Sequence, residues 1–190
     1  MYFNTKGSIM TARLALQTRD TAAGTSRDLL DQIHGTFGAT PNMFRAVANS
    51  PAALGSMWGA FGALGGGTLG AKLGEQIAVA IADINDCEYC LAAHTVLGRK
   101  AGATADEMTA AQAGQSHDPK TAAALAFATR VVRQRAKVDA ADVDALRHAG
   151  FDDGQIMEIM THVALNLFTN YVNVAFAVPV DFPHVRLRAK

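Results

Sequence analysis

The chain has 190 residues, of which 49% are hydrophobic and 18% are charged. This length suits one domain with a sizeable core, and the composition excludes disorder as the main state. The 17 basic and 17 acidic side chains cancel, so the chain lacks the positive charge that nucleic-acid binding requires. We therefore predict a single domain over residues 1–190 that does not bind nucleic acid.

The amino terminus lacks the pattern of a signal peptide, a charged segment followed by an apolar core and a small-residue cleavage site. A cytoplasmic location is therefore expected. Because Met10 is a second potential start, residues 1–9 are either native or a non-native or disordered leader. The zero net charge and the few charged residues also lead us to expect a homo-oligomer, in which copies of the chain cover apolar surface.

Three helices are predicted before residue 65, with starts at Ser26, at Thr40 with Pro41, and at Ser50 with Pro51. The third ends at the glycines 65–67, in a segment that is either a hinge or a tight turn. Apolar residues at helical spacing predict the fourth helix over about 71–84, and Asn85 with Asp86 ends it.

Helical signals continue to the end of the chain. The next predicted helices run from Cys87 to Lys100, from Thr104 onward, from Asp118 to about Val138, from Asp139 to Gly150 and from Asp152 onward. Alternating strand patterns bounded by hairpin turns are absent, so the predicted fold class is all-α.

Two uncharged stretches, 46–71 and 160–180, are long enough to span a bilayer. The first contains three consecutive glycines and a proline, and the second contains three asparagines and a proline. Such residues are costly in lipid, so we interpret both stretches as buried or interface helices and expect no membrane association.

The segment with chemical potential contains Cys87, Cys90 and His94. At about 100° per residue, these three side chains share one side of a helix. Cys87 falls in the first turn, where unpaired N–H groups and the helix dipole favour a thiolate, and the imidazole can exchange a proton with either sulfur. The spacing indicates a reversible dithiol.

Peroxide reduction by thiols needs an attacking thiolate, a proton for the departing oxygen and a second thiol. We assign attack to the more interior Cys90, whereas Cys87 would resolve the sulfenic acid and present the disulfide to a reductant, although the residues alone leave these roles interchangeable. Glu75 lies on the preceding helix, which can run back beside the cysteines.

The spacing Glu75-x11-Cys87-x2-Cys90-x3-His94 resembles the core motif of the AhpD-like alkylhydroperoxidase branch of the carboxymuconolactone decarboxylase family. Segments 37–44, 166–173 and 181–183 resemble further parts of that family, so the resemblance covers most of the chain. It implies an AhpD-like helical bundle that assembles into an oligomer.

The same resemblance implies that Cys90 is the peroxidatic thiol, with Cys87 as its partner, and that Glu75 and His94 form a proton relay through Cys87. It also implies a hydroperoxide substrate, no bound cofactor and a thiol reductant, for which a lipoyl protein is the family precedent. The chain departs from the best-known peroxidases of the family at Tyr89, where they have a histidine between the cysteines. A phenol with a pKa of about 10 cannot replace imidazole as a base at neutral pH.

Other interpretations of the same residues remain open. Lactone decarboxylation, the other activity of the family, does not rely on a cysteine pair. A non-catalytic redox-sensing or metal-binding module is a third reading, although Cys87, Cys90 and His94 give zinc only three ligands. We therefore predict no metal site.

A polar ladder lies along the last predicted helix, formed by His162, Asn166, Asn170 and Asn173. We interpret it as hydrogen bonding between helices or subunits. Trp58, Phe61, Met157 and Met160 are interpreted as core or interface packing.

Overall fold

The structure, a computed structural model, describes residues 12–189. Within this range the chain forms nine α-helices and no strand. They are α1 Gly24–Phe37, α2 Asn42–Val47, α3 Pro51–Gly65, α4 Ala71–Ile84, α5 Glu88–Lys100, α6 Ala105–Gln112, α7 Pro119–Arg133, α8 Ala140–His148 and α9 Asp153–Ala175. The all-α prediction is confirmed. The expectation of a leader over residues 1–9 concerns residues outside the described range.

Helix α4 lies at the centre of the molecule. Every residue from Ile77 to Ala82 is buried, and α4 packs against α5, α6, α7 and α9. Its small and β-branched side chains let these neighbours approach closely, and each fully buried isoleucine stabilises the fold by roughly 1.5–3 kcal/mol. Because α4 is enclosed on several sides, the side chains at its ends have fixed positions.

Five of the predicted helix starts are confirmed by side-chain caps. Each capping side chain accepts a hydrogen bond from the backbone N–H of the residue three positions later. The capping residues are Ser50, Thr104, Asp118, Asp139 and Asp152.

Two predicted starts are wrong. Ser26 lies inside α1, where its hydroxyl donates to the buried carbonyl of Ala48, so tertiary contact outweighs its capping preference. The residue before α2 is Pro41 rather than Thr40.

The predicted end of α7 near Val138 is also wrong. The helix stops at Arg133, because Arg135 and Ala136 adopt positive φ angles of 53° and 61° and the Ala136 N–H donates back to Val131. Such a left-handed turn closes a helix by satisfying its last carbonyls.

The glycine segment after α3 forms a tight turn. Glu158 of α9 accepts hydrogen bonds from the backbone N–H groups of Thr68 and Leu69, at 2.8 and 3.1 Å. A side chain at Gly67 would collide with this carboxylate, since a Cβ there would lie 2.8 Å from its Oε2. Of the two predicted alternatives, the turn is therefore the one observed.

After α9, residues 176–189 run back across the molecule and are held at two points. Asp181 accepts a hydrogen bond from the N–H of Asn42, at the start of α2. Farther along, the Arg188 guanidinium donates to the buried carboxylate of Asp83, at 2.8 and 2.9 Å, and Gln112 donates to the same carboxylate. These contacts join the tail to α2 and α4.

The described helices include none that is both long and apolar enough to cross a membrane. Helix α9 carries exposed apolar side chains at Phe168, Tyr171 and Val174, which lie at a spacing of three residues. The homo-oligomer stays a prediction.

Candidate active site

The turn between α4 and α5 positions the two cysteines. Asp86 adopts a positive φ of 54°, and Cys87 caps α5 by accepting the N–H of Cys90 at 3.3 Å. Both thiols are free and only 1% exposed. One helix start therefore holds the two sulfur atoms together in the interior.

Cys90 is the thiol with the more stabilised anion. Burial alone would raise its pKa, but the Cys87 side chain, the positive charge of His94 and the amides of Asn173 and Asn170 outweigh burial and lower it to about 7. The Asn173 Nδ2 group donates to Cys90 Sγ at 3.2 Å. Because reactivity follows the thiolate, this environment suits nucleophilic attack by Cys90.

Cys87 is in the opposite situation. Its interaction with Cys90, followed by burial, raises its pKa above the ordinary value, so its proton stabilises the neighbouring thiolate. The prediction that the helix start favours a Cys87 thiolate is wrong, because the interaction with Cys90 and burial outweigh the effect of the helix start. The expectation that Cys87 presents the disulfide to a reductant stays a prediction.

Glu75 and His94 form a direct pair. Glu75 Oε2 lies 2.7 Å from His94 Nδ1, which leaves Nε2 as the free ring nitrogen. Burial would lower the pKa of His94, but the carboxylate of Glu75 raises it above its ordinary value. A histidine whose pKa is raised keeps its proton to higher pH, which suits a proton donor. The relay through Cys87 stays a prediction.

Tyr89, which lies between the cysteines in the sequence, makes contacts that fix the position of its side chain. Its hydroxyl accepts the N–H of Met43 at 3.1 Å, and its ring packs edge-on against Phe182 at 5.7 Å. Burial, with the nearby Asp181 carboxylate, raises the pKa of Tyr89 well above its usual range. The phenol therefore stays neutral and cannot serve as a base.

A cavity of about 380 Å³ reaches the reactive groups. Cys90, His94 and Glu75 line one part of it, whereas Cys87 does not line it. The rest of the wall is mainly apolar and is formed by Phe37, Pro41, Met43, Phe44, Trp58, Phe61, Tyr89, Leu97 and Phe182, among others. Three of the four predicted site residues therefore share one cavity. The fourth, Cys87, lies behind its lining and accepts the N–H of Cys90.

Sequence reasoning missed two parts of this site. Trp58 and Phe61 were assigned to packing, yet they line the cavity. Asn173 was assigned to a polar ladder that joins helices, and its hydrogen bond from α9 to the sulfur of Cys90 on α5 agrees with that interpretation, but its place in the site was not predicted. Asn170 accepts a hydrogen bond from Asn85. The buried position of asparagines in an apolar helix was the only available signal.

His162, the first member of the polar ladder, packs against the helix that carries Glu75. A Cβ at Gly74 would lie 2.7 Å from its ring, and burial lowers the pKa of His162. The residues that the structure describes contain no group of three or more His, Cys, Asp or Glu side chains suited to holding a metal ion.

Comparison with known families places this geometry in context. Residues 51–134, which contain all four predicted site residues, match the carboxymuconolactone decarboxylase family. This match covers 84 of the 190 residues. The resemblance stated from the motif is thereby confirmed. No curated protein matches the chain.

Solved structures share the fold over nearly the whole chain. A peroxidase-related protein from Silicibacter sp. TM1040 is 26% identical, with 88% of this chain and 91% of that chain covered at a TM-score of 0.78. An AhpD-core peroxidase-related protein from Ralstonia eutropha JMP134 is 23% identical, with 90% and 92% covered at a TM-score of 0.82. The predicted AhpD-like bundle is confirmed.

A structural neighbour with a different activity is the debrominase Bmp8, solved as a cysteine-to-alanine variant in complex with 2,3,4-tribromopyrrole. It is 21% identical to this chain, with 90% of this chain and 92% of that chain covered at a TM-score of 0.75. A protein named as a debrominase therefore shares this fold.

Proposed function

We propose that this protein is a thiol-dependent peroxidase that reduces organic hydroperoxides through a disulfide cycle of Cys87 and Cys90. The observation that carries the proposal is the meeting, in one cavity, of a thiol of lowered pKa with the hydrogen-bonded pair of Glu75 and His94. Together these groups supply a nucleophile and a proton donor, and Cys87 supplies the second thiol.

The cavity wall favours an uncharged substrate. No lysine or arginine of the described residues lines it, and the imidazole of His94 is already paired with Glu75. A carboxylate or phosphate on the substrate would therefore be desolvated without a cation of its own. Phe44 and Trp58 meet edge to face at 5.8 Å, and such rings offer flat contact area to an alkyl or aromatic group. Cumene hydroperoxide is a suitable uncharged probe.

In the first step the Cys90 thiolate attacks the terminal oxygen of the hydroperoxide. The S–O bond forms as the O–O bond breaks, so the sulfur loses two electrons and the peroxide gains them. The departing alkoxide takes a proton from His94, whose imidazolium is stabilised by Glu75. The products are an alcohol and a sulfenic acid on Cys90.

In the second step the sulfur of Cys87 attacks the sulfenic sulfur of Cys90, an S–S bond forms and water leaves. The hydrogen bonding at the helix start keeps the two residues together. An external dithiol then returns the two electrons. Cys90 lines the cavity and Cys87 does not, so the reductant attacks Cys90. A lipoyl protein, the family precedent, is the proposed source of this dithiol in a cytoplasmic homo-oligomer.

Titration with cumene hydroperoxide tests the proposal. One equivalent is expected to remove both free thiols, release cumyl alcohol and give a Cys87–Cys90 disulfide detectable by peptide mass spectrometry. Cys87→Ser should stop at a sulfenic acid on Cys90, which a dimedone-type probe traps. If Cys90→Ser consumes the hydroperoxide as fast as the parent protein, the proposal is wrong.

The second candidate is reductive debromination of a small aromatic ring. The aromatic wall beside Cys90 and His94 favours it, as does the shared fold with Bmp8. Two thiols and an aryl bromide would give the debrominated ring, a disulfide, bromide and a proton, so the same dithiol supplies the electrons. Bromide release from tribromopyrrole, with no turnover of cumene hydroperoxide, would favour this candidate over the first.

A further inference from the structure

Two buried asparagines of α9 interact with Cys90 and lie outside the lining of the cavity. Asn173 is 4% exposed and Asn170 is fully buried. The Nδ2 group of Asn173 donates to Cys90 Sγ at 3.2 Å. Neither residue lines the cavity, so both act on the sulfur from within the protein.

The orientation of the Asn173 amide matches an ionised sulfur. A thiolate can only accept hydrogen bonds, and the amide presents its N–H group to it. The amide oxygen of Asn173 has no hydrogen-bond partner among the described residues. A buried polar atom without a partner is costly, so packing alone does not explain an asparagine here.

Asn170 offers a second amide to Cys90. Its Oδ1 accepts a hydrogen bond from Asn85 at 3.0 Å, which orients the amide. Its Nδ2 is buried and has no other hydrogen-bond partner among the described residues. The Asn170 amide interacts with Cys90 and favours its negative charge, so it contributes to lowering the pKa of this thiol.

We propose that Asn173 and Asn170 form an amide cradle for the Cys90 thiolate, in which Asn173 Nδ2 donates to the sulfur and Asn170, oriented by Asn85, adds a second amide. The first half of the proposal is the bond from Asn173, and the second half is the contribution of Asn170. Both halves stand without the proposed peroxidase activity.

The first half is tested by the pH dependence of alkylation, with mass spectrometry used to identify the modified cysteine. Asn173→Leu, which keeps a similar volume but has no donor, should move the alkylation midpoint of Cys90 upward by about 1 pH unit or more, since a hydrogen bond to a charged group is lost. Asn173→Asp, of nearly identical size, should move it further, because it adds negative charge.

Asn166→Leu is the matched control. Asn166 is also buried in α9 with an unpaired amide oxygen, but its Nδ2 donates to the His162 carbonyl. In this variant the alkylation midpoint of Cys90 should stay at the parent value. Should Asn173→Leu fail to fold, Asn173→Asp decides alone. A Cys90 midpoint unchanged in the folded Asn173 variants overturns the first half.

The second half is tested by the same labelling experiment. Asn170→Ala should move the alkylation midpoint of Cys90 upward, but by less than Asn173→Leu does. A midpoint at the parent value overturns this half. If the parent protein does not react with hydroperoxide, the proposed function fails, yet the alkylation results still decide both halves.

Discussion

Two cavities among the described residues differ in their chemistry, and the smaller of them contains the reactive groups. The larger cavity, of about 840 Å³, lies where α4, α6 and α7 begin. Its two lysines are already bound to protein atoms, since Lys72 pairs with Glu107 at 2.7 Å and Lys120 donates to the Gly150 carbonyl. The smaller cavity instead offers a thiol and an imidazole to a ligand. Cavity size therefore says less about function than whether the polar groups are still available.

The strongest test of this difference exchanges one carboxylate in each cavity. Glu75→Gln should lower the rate of peroxide reduction about 100-fold, because the amide no longer stabilises the His94 imidazolium. Glu107→Gln, in the larger cavity, should leave the rate unchanged, since glutamine can retain the capping bond of α6. Steady-state kinetics with cumene hydroperoxide measures both. Equal rate losses would mean that the two cavities are not functionally distinct.

The pH dependence of thiol reactivity sharpens the comparison. The pKa of Cys90 is lowered to about 7, so the thiolate forms as the pH rises through that value and is lost as the pH falls below it. Alkylation of Cys90 should therefore be roughly half-maximal near neutral pH, rather than at the ordinary thiol value of about 8.5. Cys87, whose pKa is raised, should remain unmodified over this range. Iodoacetamide labelling that is quenched at set times, followed by mass spectrometry, distinguishes the two cysteines.

The aromatic wall is expected to contribute less to peroxide reduction than Glu75 does, and its contribution depends on the substrate. Trp58→Ala should raise the KM for cumene hydroperoxide about tenfold, which corresponds to about 1.4 kcal/mol of lost contact. The KM for hydrogen peroxide should change little, because that molecule is too small to touch the wall. A uniform loss with both substrates would indicate a general disturbance of the fold rather than a binding surface.

The smallest effect is expected in the larger cavity. The ion pair of Lys72 and Glu107 is substantially exposed, and solvent screening leaves such pairs with little effect on stability. Lys72→Met should accordingly leave the midpoint of urea denaturation close to the parent value and leave peroxide reduction intact. A large loss of activity would assign a functional role to the larger cavity.

Much of the fold could be predicted because its signals are local. The capping residues Asp118, Asp139 and Asp152 act within three residues of their own position, so the sequence reveals them directly. The errors occur where distant contacts decide. Ser26 gives its hydroxyl to Ala48 rather than to a helix start, and no local pattern encodes that partner.

The candidate site likewise has one part that local sequence predicts and another part that depends on distant contacts. The spacing of Cys87, Cys90 and His94 within one helix made their proximity predictable, and the family motif added Glu75. The difference in pKa between the cysteines depends on burial and on Asn173, which lies 83 residues from Cys90. Likewise, the contact between Tyr89 and Phe182 requires the return of the carboxyl-terminal tail. Only the assembled structure reveals such long-range partners.

The return of this tail has a consequence for evolution and for engineering. Phe182, together with Phe37 and Phe44, helps to line the smaller cavity, yet all three lie outside the family-matched segment 51–134. Substrate preference can therefore diverge through the flanking sequence while the redox centre stays constant. A library of substitutions at these three positions would explore new specificities at little risk to the underlying chemistry.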